Sequence, residues 1–178
     1  GIVTSFYRMF ISVTVLLPFS RKILRLDSEK NKPQLHIQTI IFPILAGIFS
    51  ALDHAFWGSS IKQTNVANAT LLNYISPIWV SIVSIMIFRE KYKKYYWIGL
   101  FFVFIGSMSV LNITRNDLDF NFQGEGFAII SSFFYAGYFL MTQKGRNYFS
   151  ASQQLLISLF SSCIILAIIM IVFKHHFL

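Results

Sequence analysis

The chain has 178 residues, of which 55% are hydrophobic and only 12% are charged, and its mean hydropathy is +0.61. Soluble domains carry about 25% charged residues, so this chain has too few polar side chains to cover a water-exposed surface. The composition excludes a soluble globular protein. It predicts an all-α, polytopic transmembrane helix bundle, because a helix satisfies its own backbone hydrogen bonds in lipid.

The formal net charge of +8 does not indicate a nucleic-acid partner. The Lys and Arg residues occur in short clusters between apolar runs rather than along one helix face, and such clusters are typical of membrane topology signals. The single cysteine, Cys163, lies inside an apolar run, so no disulfide within the chain is expected.

Six apolar segments approach the roughly 20 residues that a helix needs to cross a bilayer. The first is short and has no signal-peptide features. Because the chain opens at Gly1 without Met and enters this apolar segment directly, we expect it to be a piece of a longer protein. In chain order the segments are Ile2–Pro18, Ile37–Ile61, Val66–Phe88, Tyr95–Ile113, Gly126–Thr142 and Leu155–Phe173.

Basic residues alternate between the connections that join these segments. The first, third and fifth connections carry eleven of them, whereas the second, the fourth and the distal end together carry three. The positive-inside rule therefore puts the odd-numbered connections in the cytoplasm and both chain ends outside. The eleven are Arg21, Lys22, Arg25, Lys30, Lys32, Arg89, Lys91, Lys93, Lys94, Lys144 and Arg146, and the three are Lys62, Arg115 and Lys174.

Asp53 and His54 lie well inside the second segment. A charged side chain at mid-bilayer costs roughly 2.5–3.5 kcal/mol, so such residues usually face a cavity or a partner. Asp53 shares a helix face with Trp57 and Ser60. His54 lies about 100° further round the helix, which argues against a catalytic dyad. The two residues either bind substrate or a coupled proton at a cavity wall, or hydrogen-bond to neighbouring helices.

Arg8 is a further ionisable residue at membrane depth, near the outer end of the first segment. It either pairs with Asp53 or an anionic group, or extends its long side chain to the lipid headgroups. The sequence favours the headgroups, because the residue is close to the end of its segment.

Asn73 and Pro77 interrupt the third segment four residues apart. Proline has no N–H, so the carbonyl of Asn73 loses its helical partner. Freed carbonyls at membrane depth are tolerated where they line a cavity or where neighbouring groups satisfy them. The pattern predicts either a polar cavity wall, extended by Ser76, Ser81 and Ser84, or a plain kink.

Hydroxyl groups form a stripe on the fifth segment and a weaker one on the sixth, at helical spacing. One such stripe is explained by contacts between helices, whereas several together suggest a shared central cavity. Small residues on two segments predict close helix packing. The stripes are Ser131, Tyr135, Tyr138, Thr142 and Gln154, Ser158, Ser161, and the small residues are Gly47, Ala51, Gly58 and Gly99, Gly106.

Motifs of enzymes and metal sites are absent from the sequence, which has no HExxH, no GxSxG and no glycine-rich phosphate loop. We therefore expect no catalytic residues, no cofactor and no bound metal. The pair His175–His176 lies in the tail without another ligand near it and is expected to be solvated.

Four stretches of the chain carry a resemblance to a known family. They are YRMFISVTVLLP (Tyr7–Pro18), WGSSIKQTNVANATLLNYISPIWVSIVSIMIFREK (Trp57–Lys91), WIGLFFVFIGSMSVL (Trp97–Leu111) and GEGFAIISSFFYAGYFLMTQKGRN (Gly124–Asn147). They resemble the EamA family of the drug/metabolite transporter superfamily, in which ten helices form two inverted five-helix repeats. The resemblance implies that this chain contains helices two to seven, with residues 1–122 in the first repeat and 123–178 in the second.

The resemblance also implies a function and a site. Members of the family move small metabolites, and by position the central cavity is lined by His54, Trp57, Asn73, Pro77, Tyr135 and Tyr138. Glu90 is expected in a structural ion pair. The chain is thus predicted to be a multi-pass secondary transporter of small organic solutes in the cytoplasmic membrane, working by alternating access. Asp53 or His54 is the candidate proton carrier.

Two other classes stay open at this point. One is a non-transporting scaffold or assembly subunit, in which the polar side chains pack against each other without a continuous cavity. The other is a membrane-embedded enzyme, which needs further intramembrane acids or metal ligands that the sequence lacks. The expected partners are a small-molecule solute and the lipid bilayer, with no nucleic acid, and a homodimer is one option for the assembly.

Overall fold

The computed structural model describes residues 2–28, 37–89, 91–110 and 122–173, in which helices joined by short turns form the structure and no strand occurs. The expected ion pair of Glu90 and the tail pair His175–His176 lie outside the described residues. In chain order the helices are α1 (Ile2–Ser28), α2 (Ile37–Ser60), α3 (Val66–Asn73), α4 (Ser76–Phe88), α5 (Lys94–Val110), α6 (Phe122–Gly145) and α7 (Ala151–Val172).

Four stretches of the described chain are long and apolar enough to cross a membrane, and they make the protein a multi-pass membrane protein. The apolar part of α5, Lys94–Gly106, is shorter. Helix α6 is long enough, but its serines, tyrosines and glycines lower its hydropathy. A count of six spans therefore stays a prediction. The four stretches are Ile2–Ser20, Gln38–Ser60, Val66–Ile87 and Ala151–Val172.

Helix α2 is the centre of the bundle, and its largest contact is with α6. The Ser60 hydroxyl donates to the Gly124 carbonyl at 2.6 Å, and Ser131 donates to Asp53 at 2.5 Å. Residue numbers rise along one helix as they fall along the other, so α2 and α6 are antiparallel.

Helix α7 packs on a second side of α2 and runs parallel to it. Ser158 donates to the Pro43 carbonyl at 3.2 Å, and a Cβ placed on Gly47 would lie 2.5 Å from Ser161 Cβ. Gly47 therefore brings the two backbones into direct contact, as the predicted small-residue face requires. The shared direction of α2 and α7, opposite to α6, agrees with the alternation of basic connections.

The third predicted segment is interrupted rather than simply kinked. Helix α3 ends at Asn73, and Pro77 lies in the first turn of α4. Backbone hydrogen bonds from residue i to residue i−3 cross the break, from Ile75 N to Leu72 O at 3.2 Å and from Ile78 N to Ile75 O at 2.9 Å. Proline is suited to the start of a helix, where its missing N–H removes no helical hydrogen bond.

The predicted packing role of Gly99 and Gly106 is wrong for the part of the chain described. A Cβ added to either glycine meets nothing within 4 Å. Helix α5 lies on the outside of the bundle, where its Tyr96 hydroxyl is 2.8 Å from Ser81 Oγ of α4 and Phe102 is 65% exposed. The glycines face open space because no other described helix covers α5 there.

Candidate functional site

Asp53 is the buried carboxylate of α2, with 4% of its surface exposed. Its Oδ1 accepts a hydrogen bond of 2.5 Å from Ser131 Oγ of α6 and one of 3.3 Å from Asn73 Nδ2 of α3. Asn73 Nδ2 also donates to Ser131 Oγ at 3.1 Å. We call these three residues the Asp53 cluster. It joins three helices at the point where α3 ends.

His54 contacts the same carboxylate from the neighbouring helix position. Its Nδ1 lies 3.3 Å from Asp53 Oδ2, although no aligned hydrogen bond to Nδ1 is formed within the described residues. The different helix faces of the two residues had suggested separate environments. The two side chains nevertheless come within 3.3 Å of each other, because consecutive residues occupy adjoining parts of the helix surface.

A cavity of about 240 Å³ lies beside the Asp53 cluster, among α1, α2, α6 and α7. The rings of Tyr135 and Tyr138 are parallel within 4°, with their centroids 6.2 Å apart. The Oγ of Ser162 is buried with no partner among the described residues. The cavity is lined by Met9, Ser50, His54, Tyr135, Tyr138, Leu155, Ser158, Leu159 and Ser162.

The site residues expected from the sequence therefore separate into groups. His54, Tyr135 and Tyr138 line the cavity, while Asp53 and Asn73 lie in the adjoining cluster. Pro77 lines a different, apolar cavity of about 380 Å³ between α4 and α5. Trp57 is half-buried and lines neither cavity. The structure does not bring all seven residues to one wall.

Two contributors to the site were not selected from the sequence. Ser131 was recognised as part of the hydroxyl stripe, but its pairing with Asp53 depends on how α2 and α6 pack. The predicted stripe on α7 contains Ser161, whereas Ser162 is the residue that lines the cavity. A spacing of four residues from Gln154 through Ser158 would have led to Ser162, since positions four apart lie on nearly the same helix face.

The remaining polar residues have more ordinary surroundings. Ser158 donates to the carbonyls of Pro43 and Gln154, so part of the α7 stripe holds helices together. Arg8 is exposed and has no carboxylate partner within the described chain, which fits the headgroup interpretation. Across the described ranges no three His, Cys, Asp or Glu residues come together in a metal-binding group.

Comparison with known proteins identifies the family. A model described as the EamA-like transporter family matches residues 2–112, which is more than half of the chain. The chain belongs to the EamA-like transporter family. The family resemblance is thereby confirmed, and with it the membrane transporter class in general terms. Three of the four stretches lie within the matched residues, whereas Gly124–Asn147 lies beyond them and stays a prediction.

One curated relative of this EamA-like chain is an uncharacterized transporter in the sor 3′ region of Acidianus ambivalens. The two are 27% identical over 146 residues, which is 82% of this chain and 51% of the relative. The chain thus spans about half the length of that protein. No solved structure matches the chain.

Proposed function

We propose that this EamA-like chain forms part of a secondary transporter that moves small organic solutes across the cytoplasmic membrane by alternating access. One observation carries the proposal. The buried carboxylate of Asp53 joins three helices at a helix break and lies next to a cavity lined by His54 and two tyrosines. Intramembrane ionisable groups in such surroundings generally mark solute or proton pathways.

The proposed roles follow from the contacts. The cavity holds the solute, and Asp53 or His54 carries a coupled proton. Protonation of Asp53 would weaken its attraction for the donors of Asn73 and Ser131. Because these donors belong to α3 and α6, the loss would loosen the hold of α2 on both helices. Broken helices at the solute site are a recurrent feature of secondary transporters.

The proposal includes the architecture expected from the resemblance. The chain would supply six spanning helices, two to seven of ten, with residues 1–122 in one repeat and 123–178 in the next. The match of 146 residues to 51% of the Acidianus ambivalens transporter supports this arrangement. The remaining helices would complete the solute pathway. The function would then be transport across the membrane rather than catalysis.

The test uses the full-length protein. A metabolite-accumulation screen on a deletion strain identifies a solute, whose uptake is then measured in vesicles containing the wild type, Asp53→Asn or Asn73→Leu. We expect initial rates at least tenfold lower in both variants. Thr70→Val is the matched control on α3, since the Thr70 hydroxyl bonds to Val66 O of its own helix. It should transport at the wild-type rate.

The scaffold alternative is favoured by one observation, the direct packing of Asp53, Asn73 and Ser131 against each other. In that case the cluster only holds helices together. Normal transport in both Asp53→Asn and Asn73→Leu, with lowered thermal stability, would support this alternative and contradict the solute site.

A further inference from the structure

The ionisable groups around the cavity favour one sign of charge in a bound solute. Within the described residues no Lys or Arg side chain lines it. The nearest carboxylate is Asp53, which contacts the lining residue His54. Within a membrane, where charges are screened less than in water, an anionic solute would meet this carboxylate without a compensating cation, whereas a cationic solute would be attracted.

The hydroxyl groups of the cavity are suited to accept hydrogen bonds. Ser158 already directs its hydrogen to the carbonyls of Pro43 and Gln154, so its Oγ offers lone pairs to the cavity. Ser162 is 1% exposed, and its Oγ has no partner among the described residues. Buried polar atoms are nearly always hydrogen-bonded, so this hydroxyl lacks an expected partner. The Oγ itself is not exposed to the cavity, and a rotation about the Cα–Cβ bond would be needed to turn it towards a bound group.

His54 adds a further acceptor. Its Nδ1 lies 3.3 Å from the Asp53 carboxylate without an aligned hydrogen bond, and we take the neutral imidazole to carry its proton on this side. The other ring nitrogen, Nε2, then keeps a lone pair for a donor. His54, Ser158 and Ser162 all line the cavity and in this state all accept.

The tyrosines and the size of the cavity limit the solute further. Tyr135 and Tyr138 line the cavity with parallel rings, and the faces of aromatic rings attract cations electrostatically. The volume of about 240 Å³ is below the roughly 300–1,000 Å³ of sites for drug-sized ligands. The cavity therefore suits a small molecule.

We propose that this cavity binds a small organic ammonium ion, with its N–H groups towards His54, Ser158 and Ser162 and its carbon skeleton against Tyr135 and Tyr138. The inference rests on the proposed function in taking this cavity as the solute site. It adds the chemical class of the solute and excludes organic anions.

The test is thermal unfolding of the full-length protein in detergent, at constant pH and ionic strength, with 10 mM of three probes. Isobutylammonium, isovalerate and isovaleramide share the same branched skeleton and differ in the charge of the head group. Isobutylammonium should raise Tm by about 2–4 °C if its Kd is about 1 mM. The other two should leave Tm within about 0.5 °C of the unliganded value on the same relation.

Two variants locate the effect. Ser162→Ala removes an unpartnered buried hydroxyl, so the Tm of the unliganded protein should stay the same or rise while the isobutylammonium shift falls. A purely structural role would not produce this combination. Tyr138→Leu should also reduce the shift, with gel filtration checking that the variant is folded. Thr70→Val should keep the full shift.

The outcomes separate the two proposals. An equal or larger shift with isovalerate, no shift with isobutylammonium, or a full shift in Ser162→Ala and Tyr138→Leu would overturn the ammonium site. A transported solute that proves to be an anion would overturn it while leaving the transporter intact. A site-dependent shift in a protein that transports none of the solutes screened would support the site and contradict the transport function.

Discussion

At the scale of single residues, the Asp53 carboxylate depends on donors that other helices supply. A buried carboxylate is stable only when hydrogen bonds replace its lost hydration, and Asp53 Oδ1 receives two of them. The hydroxyl of Ser131 provides the shorter bond, at 2.5 Å. Removal of this donor should therefore lower the free energy of unfolding more than removal of a hydroxyl that bonds within its own helix.

We expect Ser131→Ala to lower the free energy of unfolding by about 1–2 kcal/mol, since the lost bond joins two helices and leaves a buried carboxyl oxygen with one donor fewer. The matched control is Ser59→Ala on α2, whose hydroxyl donates to Ala55 O of the same helix at 2.9 Å. Its effect should stay within about 0.5 kcal/mol. Unfolding of the full-length protein in mixed micelles measures both, and equal losses would contradict the proposed importance of the Asp53 contact.

Glu125 gives a pH-dependent prediction at the same scale. It lies in the first turn of α6, ahead of the predicted spanning segment, and burial raises the pKa of its carboxyl above the ordinary 4.5. The folded state therefore binds this proton more tightly than the unfolded state. The stability that the proton provides is fully present below pH 4.5 and is lost as pH rises through the higher folded-state pKa.

Glu125→Gln should consequently raise Tm relative to the wild type at pH 7.5 and have little effect at pH 4. Comparison of variant and wild type at each pH cancels the titration of every other group. An equal difference at both pH values would show that the carboxyl does not titrate differently on folding.

At the scale of helices, the glycines differ in how closely a neighbouring helix approaches them. A Cβ on Gly47 would lie 2.5 Å from the Ser158 carbonyl oxygen, a backbone atom that cannot move aside without shifting α7. Gly99, by contrast, has nothing within 4 Å of such a Cβ. The same substitution should therefore have opposite effects at the two positions.

Gly47→Ala should lower the free energy of unfolding by about 1–3 kcal/mol, because α2 and α7 must separate. Gly99→Ala should leave it unchanged or raise it by about 0.5–1 kcal/mol, since alanine is the better helix former. Thermal or detergent unfolding of the two variants provides the comparison. A destabilising Gly99→Ala would indicate that another helix covers α5 in the full-length protein.

The helices and the break in the third segment could be predicted from the sequence, because length, hydropathy and proline chemistry act locally. Asp53, His54 and the tyrosine stripe were also identified, since such groups are unusual at membrane depth. The pairing of Ser131 with Asp53 and the separate location of Pro77 could not be predicted. Both depend on the rotation of each helix about its axis, which many side chains determine together.

At the scale of the whole molecule, the helix directions and the distribution of basic residues give a single orientation. Helices α2 and α7 are parallel and α6 is antiparallel to them, and the basic connections alternate accordingly. In the proposed orientation, the turn between α2 and α3 faces outside and the one between α4 and α5 faces the cytoplasm.

Single-cysteine labelling tests this orientation in a full-length background from which Cys163 and any other cysteines have been removed. Lys62→Cys should react with a membrane-impermeant maleimide in intact cells, whereas Lys93→Cys should react only after permeabilisation. Both residues lie in the described parts of the two connections. Labelling of Lys93→Cys in intact cells would show that the topology is the inverse of the proposed one.

The length of α3, which is eight residues, also determines what fraction of the membrane potential a cation would cross to reach the helix break. At 1.5 Å per residue the helix is about 12 Å long. In the proposed orientation, with Val66 at the outer edge of a hydrocarbon core of about 30 Å, its break would lie about two fifths of the way through. A cation that reaches Asp53 from outside would cross that fraction of the membrane potential and gain about 0.9 kcal/mol per 100 mV. Occupancy of the site by a cation should therefore be voltage-dependent, with affinity rising about four- to fivefold for each 100 mV of inside-negative potential.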